Sequence, residues 1–247
     1  MQYRDRLIEK QILESAKHFK AVLVLGARQV GKSTLLSHLF PQIKSIVFDP
    51  IQDIYGARRD PDLFLESFPA PLILDEVQFV PELLSSIKRK MDRSDAKGQY
   101  FLTGSQNFSV LRSVAESMAG RVAIFHLDNF TTQEMVGLGS EEGWVPHYLN
   151  NPETFYIGRK TLPSSFPALI EFLFRGTFPA TLDLPTSQIS RYFRSYLQTY
   201  VDRDVRTQED IRQLAEFDRF LGLSASLTAQ EINSSHLGRD ASHSLAK

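Results

Sequence analysis

Eight residues near the start of the chain carry its strongest chemical signal. Gly26-Ala27-Arg28-Gln29-Val30-Gly31-Lys32-Ser33 fits the spacing G-x-x-x-x-G-K-[ST] completely. The residue types answer the demands of holding phosphate. The glycines let the backbone fold tightly, so that successive N–H groups point inward and cradle an anion. A helix starting at this point adds the positive end of its dipole. Lys32 is long enough to reach the β- and γ-phosphates of a nucleotide, and Ser33 offers a hydroxyl to Mg²⁺. The bland alternative is a chance match in a turn between a strand and a helix.

A second site should accompany the first, because a nucleotide-bound metal needs an acid beside the phosphates. Leu72-Ile73-Leu74-Asp75-Glu76 supplies one, as an apolar strand ending in two carboxylates. Asp75 would hold Mg²⁺ through its water shell, and Glu76 would polarise an attacking water as general base. Alone, the two acids would read equally well as a solvated strand end. After Gln99–Thr103 (QYFLT), the polar run Thr103-Gly104-Ser105-Gln106 would face the γ-phosphate. Ser105 or Gln106 could orient water there, or simply cap the helix that follows.

These groups need elements to position them. Leu7, Ile8, Ile12, Leu13, Ala16 and Phe19 repeat at helical spacing, which predicts an amphipathic helix from Tyr3 to Phe19. AVLVL (21–25) is an unbroken apolar run and reads as a buried strand before the loop. A helix through Leu35 to Phe40 stops at Pro41, and further strands are expected at Ser45–Phe48, 72–74, 99–103 and 121–127. Helices are expected over 62–68, from Pro81 to Arg93 and over 106–118. Strands alternating with helices predict an α/β fold with helices on both faces of a parallel sheet.

One strand separates the Lys32 strand from the Asp75 strand. That count predicts a P-loop NTPase, three-layer α/β/α, with a parallel sheet of order 5-1-4-3-2 and a helical C-terminal extension. The expected divisions are an N-terminal helix (1–20), the P-loop core (21–135), an irregular insertion or lid (136–186), and a helical region (187–247). Within the lid, periodicity collapses between Val136 and Phe166 around the single tryptophan, Trp144. Helical patterns return at Ser187–Val205 and Gln208–Leu223.

GARQVGKSTLL (26–36), LDEVQ (74–78), FLTGSQ (101–106), MAGR (118–121) and TYVDRDVR (199–206) together resemble the AAA-like ATPases of bacteria and archaea. In that family the AAA-like domain precedes a winged helix and a nuclease-like fold. The resemblance covers residues 4–135 well and 167–240 more loosely. It implies ATP as nucleotide, Mg²⁺ as cofactor, and a switch or motor role on nucleic acid or a protein partner. Gly26, Ala27, Arg28, Gln29, Val30, Gly31, Lys32, Ser33, Thr34 and Ser105 would then line the nucleotide. Ser33 and Asp75 would hold the metal, and Glu76, Lys32 and Arg121 would serve catalysis. Arg203 and Arg206 are further arginines that could reach a γ-phosphate, in cis or from a neighbouring subunit. Ion pairing with Asp202, Asp204 or Glu116 is the plainer role for all three. A homo-oligomer is implied because such sites are often completed by a neighbour's arginine.

Composition bounds the remaining readings. The 247 residues include no cysteine, which excludes disulfides, thiolate metal sites and cysteine nucleophiles. The six histidines are scattered without metal-site spacing. Lys plus Arg is 28 against 29 for Asp plus Glu, which excludes a dominant electropositive surface. No apolar run approaches the ~18 residues of a membrane span, and no signal-peptide core is present, so a soluble cytoplasmic protein is expected. The basic cluster Lys88-Arg89-Lys90 falls at a helix C-terminus, where positive charge is a natural cap. From Ala229 the sequence resembles the first two helices of a helix-turn-helix and stops where a recognition helix should begin. That pattern predicts a truncated chain whose C-terminal region is only a weak DNA or protein contact. From Val201 onward there are six Lys/Arg and eight Asp/Glu, too little positive charge for non-specific DNA affinity. Three alternatives stay open: a nucleotide-gated binding module with little turnover, a small-molecule kinase, and a non-functional remnant.

Overall fold

Central strands of a parallel sheet are buried on both faces, so they need apolar residues at every position. The computed structural model describes residues 3–105, 118–141, 144–153, 168–200 and 214–231, together with 233, 235, 237 and 238. In it β1 (Ala21–Leu25), β3 (Leu72–Asp75) and β4 (Tyr100–Gly104) are buried along their whole length. β2 (Lys44–Val47) and β5 (Val122–His126) form the edges and are partly exposed. The order is β2-β3-β4-β1-β5 with all neighbours parallel, which is the expected 5-1-4-3-2 sheet read from its other edge.

Alternation along each strand divides the core between the two faces. Leu23, Leu25, Leu72, Leu74 and Leu102 face α3 (Pro61–Ser67) and α4 (Pro81–Asp92), meeting Phe64, Leu83, Leu84 and Ile87. Val22, Val24, Ile73 and Phe101 face the other way, onto Ile12 of α1 (Glu9–His18) and Leu35 and Leu36 of α2 (Lys32–Leu39). Pairing sets the register that matters for function. Leu25 stands beside Gly104, Leu74 beside Leu102, and Val47 beside Asp75. The loop after β1, the acid ending β3 and the polar end of β4 therefore emerge at one edge of the sheet.

The expected strands between residues 44 and 126, and the helices expected over 62–68 and from Pro81 to Arg93, begin and end within one residue of the expected limits. Two elements differ. α1 starts at Glu9 rather than Tyr3, because the backbone N–H of Arg6 donates to the Glu9 carboxylate at 2.7 Å and the segment before it is held by tertiary contacts. Tyr3 donates its hydroxyl to Glu9 and stacks on His38, and burial beside that carboxylate pushes its pKa well above the usual phenol range. The stretch expected to be irregular contains short helices at Trp144–Asn150 and Leu169–Arg175 and a 3-10 turn at Pro179–Thr181. Pro146 does not break the first of these, because in a first turn its missing N–H has no intrahelical acceptor to lose.

α5 (Thr132–Met135) opens on a capping box, with Thr131 and Glu134 exchanging side-chain and backbone hydrogen bonds. The basic end of α4 is tied to α3, with Arg89 2.6 Å from Asp62 and Lys90 3.9 Å from Glu66. The chain divides into two compact units, Met1–Asp183 and Leu184–Lys247. In the second, Thr186–Tyr200 and Leu214–Ser226 are helical, the latter running three residues beyond the expected Leu223. Residues 106–117 of the helix expected over 106–118, residues 142–143 and 154–167 of the lid, Gln106, Glu116, Asp202, Arg203, Asp204, Arg206 and most of the helix-turn-helix lie outside the described residues.

Candidate functional site

Gly26 is demanded by its surroundings. The Leu127 N–H donates to the Leu25 carbonyl at 2.7 Å, drawing the end of β5 against the loop. A Cβ on residue 26 would stand 2.2 Å from the Leu127 carbonyl oxygen, closer than any side chain tolerates. Gly31 is needed for a different reason. Its φ of +97° is left-handed, and it caps α2 in that conformation. Gln29 also adopts a positive φ, of 64°, so the loop doubles back on itself twice within three residues. Strain of this kind persists only where neighbouring structure imposes it.

The first N–H groups of α2 have no partner within the helix. Ser33 and Thr34 lie exposed in that first turn, while Lys32 is buried. The Lys32 ammonium folds back across the loop and donates to the carbonyls of Gly26 at 3.0 Å and Ala27 at 2.8 Å. A compact ammonium with three donors can exchange such carbonyls for phosphate oxygens without moving its stem far. Of the remaining loop residues, Ala27 and Gln29 are exposed, Arg28 is half-buried, and Val30 packs in the core under the loop.

Asp75 is buried at the end of β3. The fully buried Thr103 hydroxyl donates to its carboxylate and accepts the Glu76 N–H at 3.0 Å. One side chain of β4 thus fixes both acids of β3. Glu76 follows in left-handed backbone, φ 61°, which turns its carboxylate out of the strand direction. The Gln78 side-chain amide donates to that carboxylate through its nitrogen, while its Oε1 is buried without a hydrogen-bond partner among the described residues. Ser105 stands half-buried just beyond β4.

Arg121 does not join this group. It precedes β5, where its carbonyl accepts the N–H groups of Lys20 and Ala21 at the opposite end of β1 from the loop. Five strand residues, about 17 Å, lie between the two ends. Its guanidinium pairs instead with Asp92 at 2.6 Å, an ion pair with a different partner from those expected. Arg121 thus stands at the end of the sheet away from the phosphate loop.

Sequence reasoning gave no role to three residues that the structure brings to the site, and it placed a fourth, Thr103, at the phosphate end of its strand without its link to Asp75 and Glu76. Gln78 stands in the LDEVQ motif. Arg6 and Glu134 carry no local signal, being 128 residues apart and joined only by the fold.

The residues fit a magnesium nucleotide. The loop presents an ammonium and a helix N-terminus, and Asp75 and Ser33 are hard oxygen donors. Among the described residues no group of three His, Asp or Glu could cage a metal. That suits Mg²⁺, which is commonly held by one or two protein oxygens together with substrate phosphates. No helix among the described residues is long and apolar enough to cross a membrane.

A parallel sheet of this order, with a phosphate loop after β1 and an acid at the end of β3, defines a P-loop NTPase. Residues 18–136 match the family model described as an AAA domain, and this part of the chain is similar to AAA-like P-loop ATPases. Residues 167–247 match a domain of unknown function (DUF8612). An uncharacterised protein of Mycobacterium tuberculosis, Rv2008c, is 27% identical over 125 residues, covering 50% of this chain and 28% of that relative. An uncharacterised protein of Mycobacterium bovis, Mb2031c, matches to the same extent. Among solved structures, the Walker-type ATPase PABY2304 of Pyrococcus abyssi aligns with TM-score 0.49 and 15% identity, over 99% of this chain and 89% of that one. AMPPCP-bound DnaA from Aquifex aeolicus aligns with TM-score 0.44 and 14% identity, over 96% and 82%.

Proposed function

We propose that this chain binds ATP with Mg²⁺ and hydrolyses it, using the resulting change to drive or gate action on nucleic acid or a protein partner. The observation that carries the reading is the Lys32 ammonium resting on the Gly26 and Ala27 carbonyls at the mouth of α2, with Asp75 fixed at the same sheet edge. Lys32 exchanges those carbonyls for β- and γ-phosphate oxygens, and the first amides of α2 take the remaining charge. Ser33 and Asp75 hold the Mg²⁺, which neutralises the charge developing on the phosphates. Glu76 accepts a proton from the attacking water. Ser105, just beyond β4, would orient that water, and Arg28 and Gln29 would line the loop rim. An arginine in cis or from a neighbouring subunit would complete the site.

One observation favours a slow switch over a fast enzyme. Glu76 is engaged by the Gln78 amide, which occupies one carboxylate oxygen and restrains the group from swinging toward an attacking water. Basal turnover is then expected well below the ~1–100 s⁻¹ typical of efficient phosphoryl transfer until a partner releases Glu76. The experiment follows nucleotide binding and phosphate release together in wild type, Lys32→Ala and Glu76→Gln. The reading expects Lys32→Ala to lose binding, and Glu76→Gln to keep binding while losing hydrolysis. Phosphate release that survives Glu76→Gln would remove Glu76 as the base.

A further inference from the structure

The segment before α1 runs along the underside of the phosphate loop instead of extending the helix. Its closest approach is at Gly139, where a Cβ would lie 1.7 Å from the Asp5 carbonyl oxygen, so only a glycine admits the segment there. Arg6, 4% exposed, is the residue this path delivers. Its Nη1 donates to the Val30 carbonyl at 3.0 Å, and its Nη2 donates to the carbonyls of Asp128 at 2.7 Å and Asn129 at 3.3 Å. Its Nε lies 3.1 Å from the Glu134 carboxylate, and Phe130 packs against the guanidinium face at 4.5 Å. Glu134, 2% exposed, is itself fixed by the backbone N–H groups of Leu7 and Thr131, each at 2.8 Å. The guanidinium therefore has one orientation available, and one of its donors is spent on the phosphate loop.

A trans peptide unit points its C=O and N–H in opposite directions. The Val30 carbonyl and the Gly31 N–H belong to one such unit. A donor clamped on the carbonyl from one side therefore turns that N–H to the other. Gly31 has the left-handed φ this requires, and a Cβ there would stand 3.9 Å from Arg6 Nη1. The charge of Arg6 is balanced by Glu134, so the arginine shapes the loop without acting as a phosphate ligand.

We propose that Arg6 is a positioning residue for the phosphate loop, holding the Val30 carbonyl so that the Gly31 N–H is aimed at bound phosphate. The inference rests on the nucleotide reading of the same loop. The test uses the full chain carrying Arg6→Lys, which keeps the charge but not the planar fork, and the double variant Arg6→Gln/Glu134→Gln. The double variant removes both charges and strands neither in the core. Two quantities are read in each folded variant: the Kd for Mg²⁺-ATP, and backbone hydrogen exchange over residues 26–34 without ligand.

Both variants are expected to weaken Mg²⁺-ATP by at least about tenfold, the scale of one lost charge-assisted hydrogen bond. Exchange over 26–34 should accelerate while that of the β1 and β4 amides stays unchanged. A purely structural arginine would instead lower the melting temperature and leave the affinity of the folded protein intact. Double-variant binding within about twofold of wild type would overturn the proposal. If wild type binds no Mg²⁺-ATP, the nucleotide reading falls. The exchange data then decide the positioning role alone, and unchanged protection over 26–34 overturns it.

Discussion

The Thr103 hydroxyl stands between the two acids, giving its proton to Asp75 and receiving that of the Glu76 N–H. Replacing it with valine keeps the shape and deletes both bonds. The stranded Glu76 amide should cost about 1–3 kcal/mol, while serine should restore both bonds. For a chain of this size that corresponds to a fall of roughly 2–12 °C in melting temperature for Thr103→Val. Phosphate release should fall with it, because Glu76 loses the anchor of its left-handed backbone. A valine variant with unchanged melting and turnover would show that the hydroxyl links nothing. Thr103 also illustrates what was legible. Gly26, Gly31, Lys32 and Ser33 were marked by their spacing in one loop, and Asp75 and Glu76 by an apolar strand that ends in two acids. Thr103, Arg6 and Glu134 act across 27 to 128 residues of sequence, and no local pattern records such a pairing.

At the scale of elements, strand boundaries followed from apolar runs punctuated by proline and glycine, because central parallel strands have no polar face to confuse the reading. Strand order followed from the one strand between those of Lys32 and Asp75. The start of α1 did not follow, because helical spacing from Tyr3 competes with tertiary bonds that hold Arg6 beneath the loop. Trp144–Asn150 was hidden by its proline and flanking polar residues, since about two helical turns are too short to display a period. Packing at this scale yields its own expectation. Phe64 of α3 is buried against Phe48 and Phe68 on the face opposite α2. Phe64→Ala should cost about 3–5 kcal/mol through lost burial and the cavity left behind. Because α3 does not touch the loop, the folded variant should keep its nucleotide affinity. Thermal melts and a binding titration check the two halves, and a variant that melts normally would show that this face contributes little.

At the scale of the molecule, every residue assigned to phosphate, metal, water or loop shape lies within Met1–Asp183. Residues 1–183 alone should therefore fold cooperatively and bind Mg²⁺-ATP with wild-type affinity, as followed by circular dichroism and calorimetry. Failure to bind in a folded fragment would place part of the site in Leu184–Lys247. The near balance of 28 basic and 29 acidic side chains leaves nucleic-acid binding without a general electrostatic drive, so any such action must rest on a local surface. The central claim concerns one ammonium in one loop. Calorimetric titration of Mg²⁺-ATP into wild type and Lys32→Ala tests it most directly. The account predicts saturable one-to-one binding in wild type and its loss in a variant that remains folded. Equal binding by both proteins, or none by folded wild type, would contradict it.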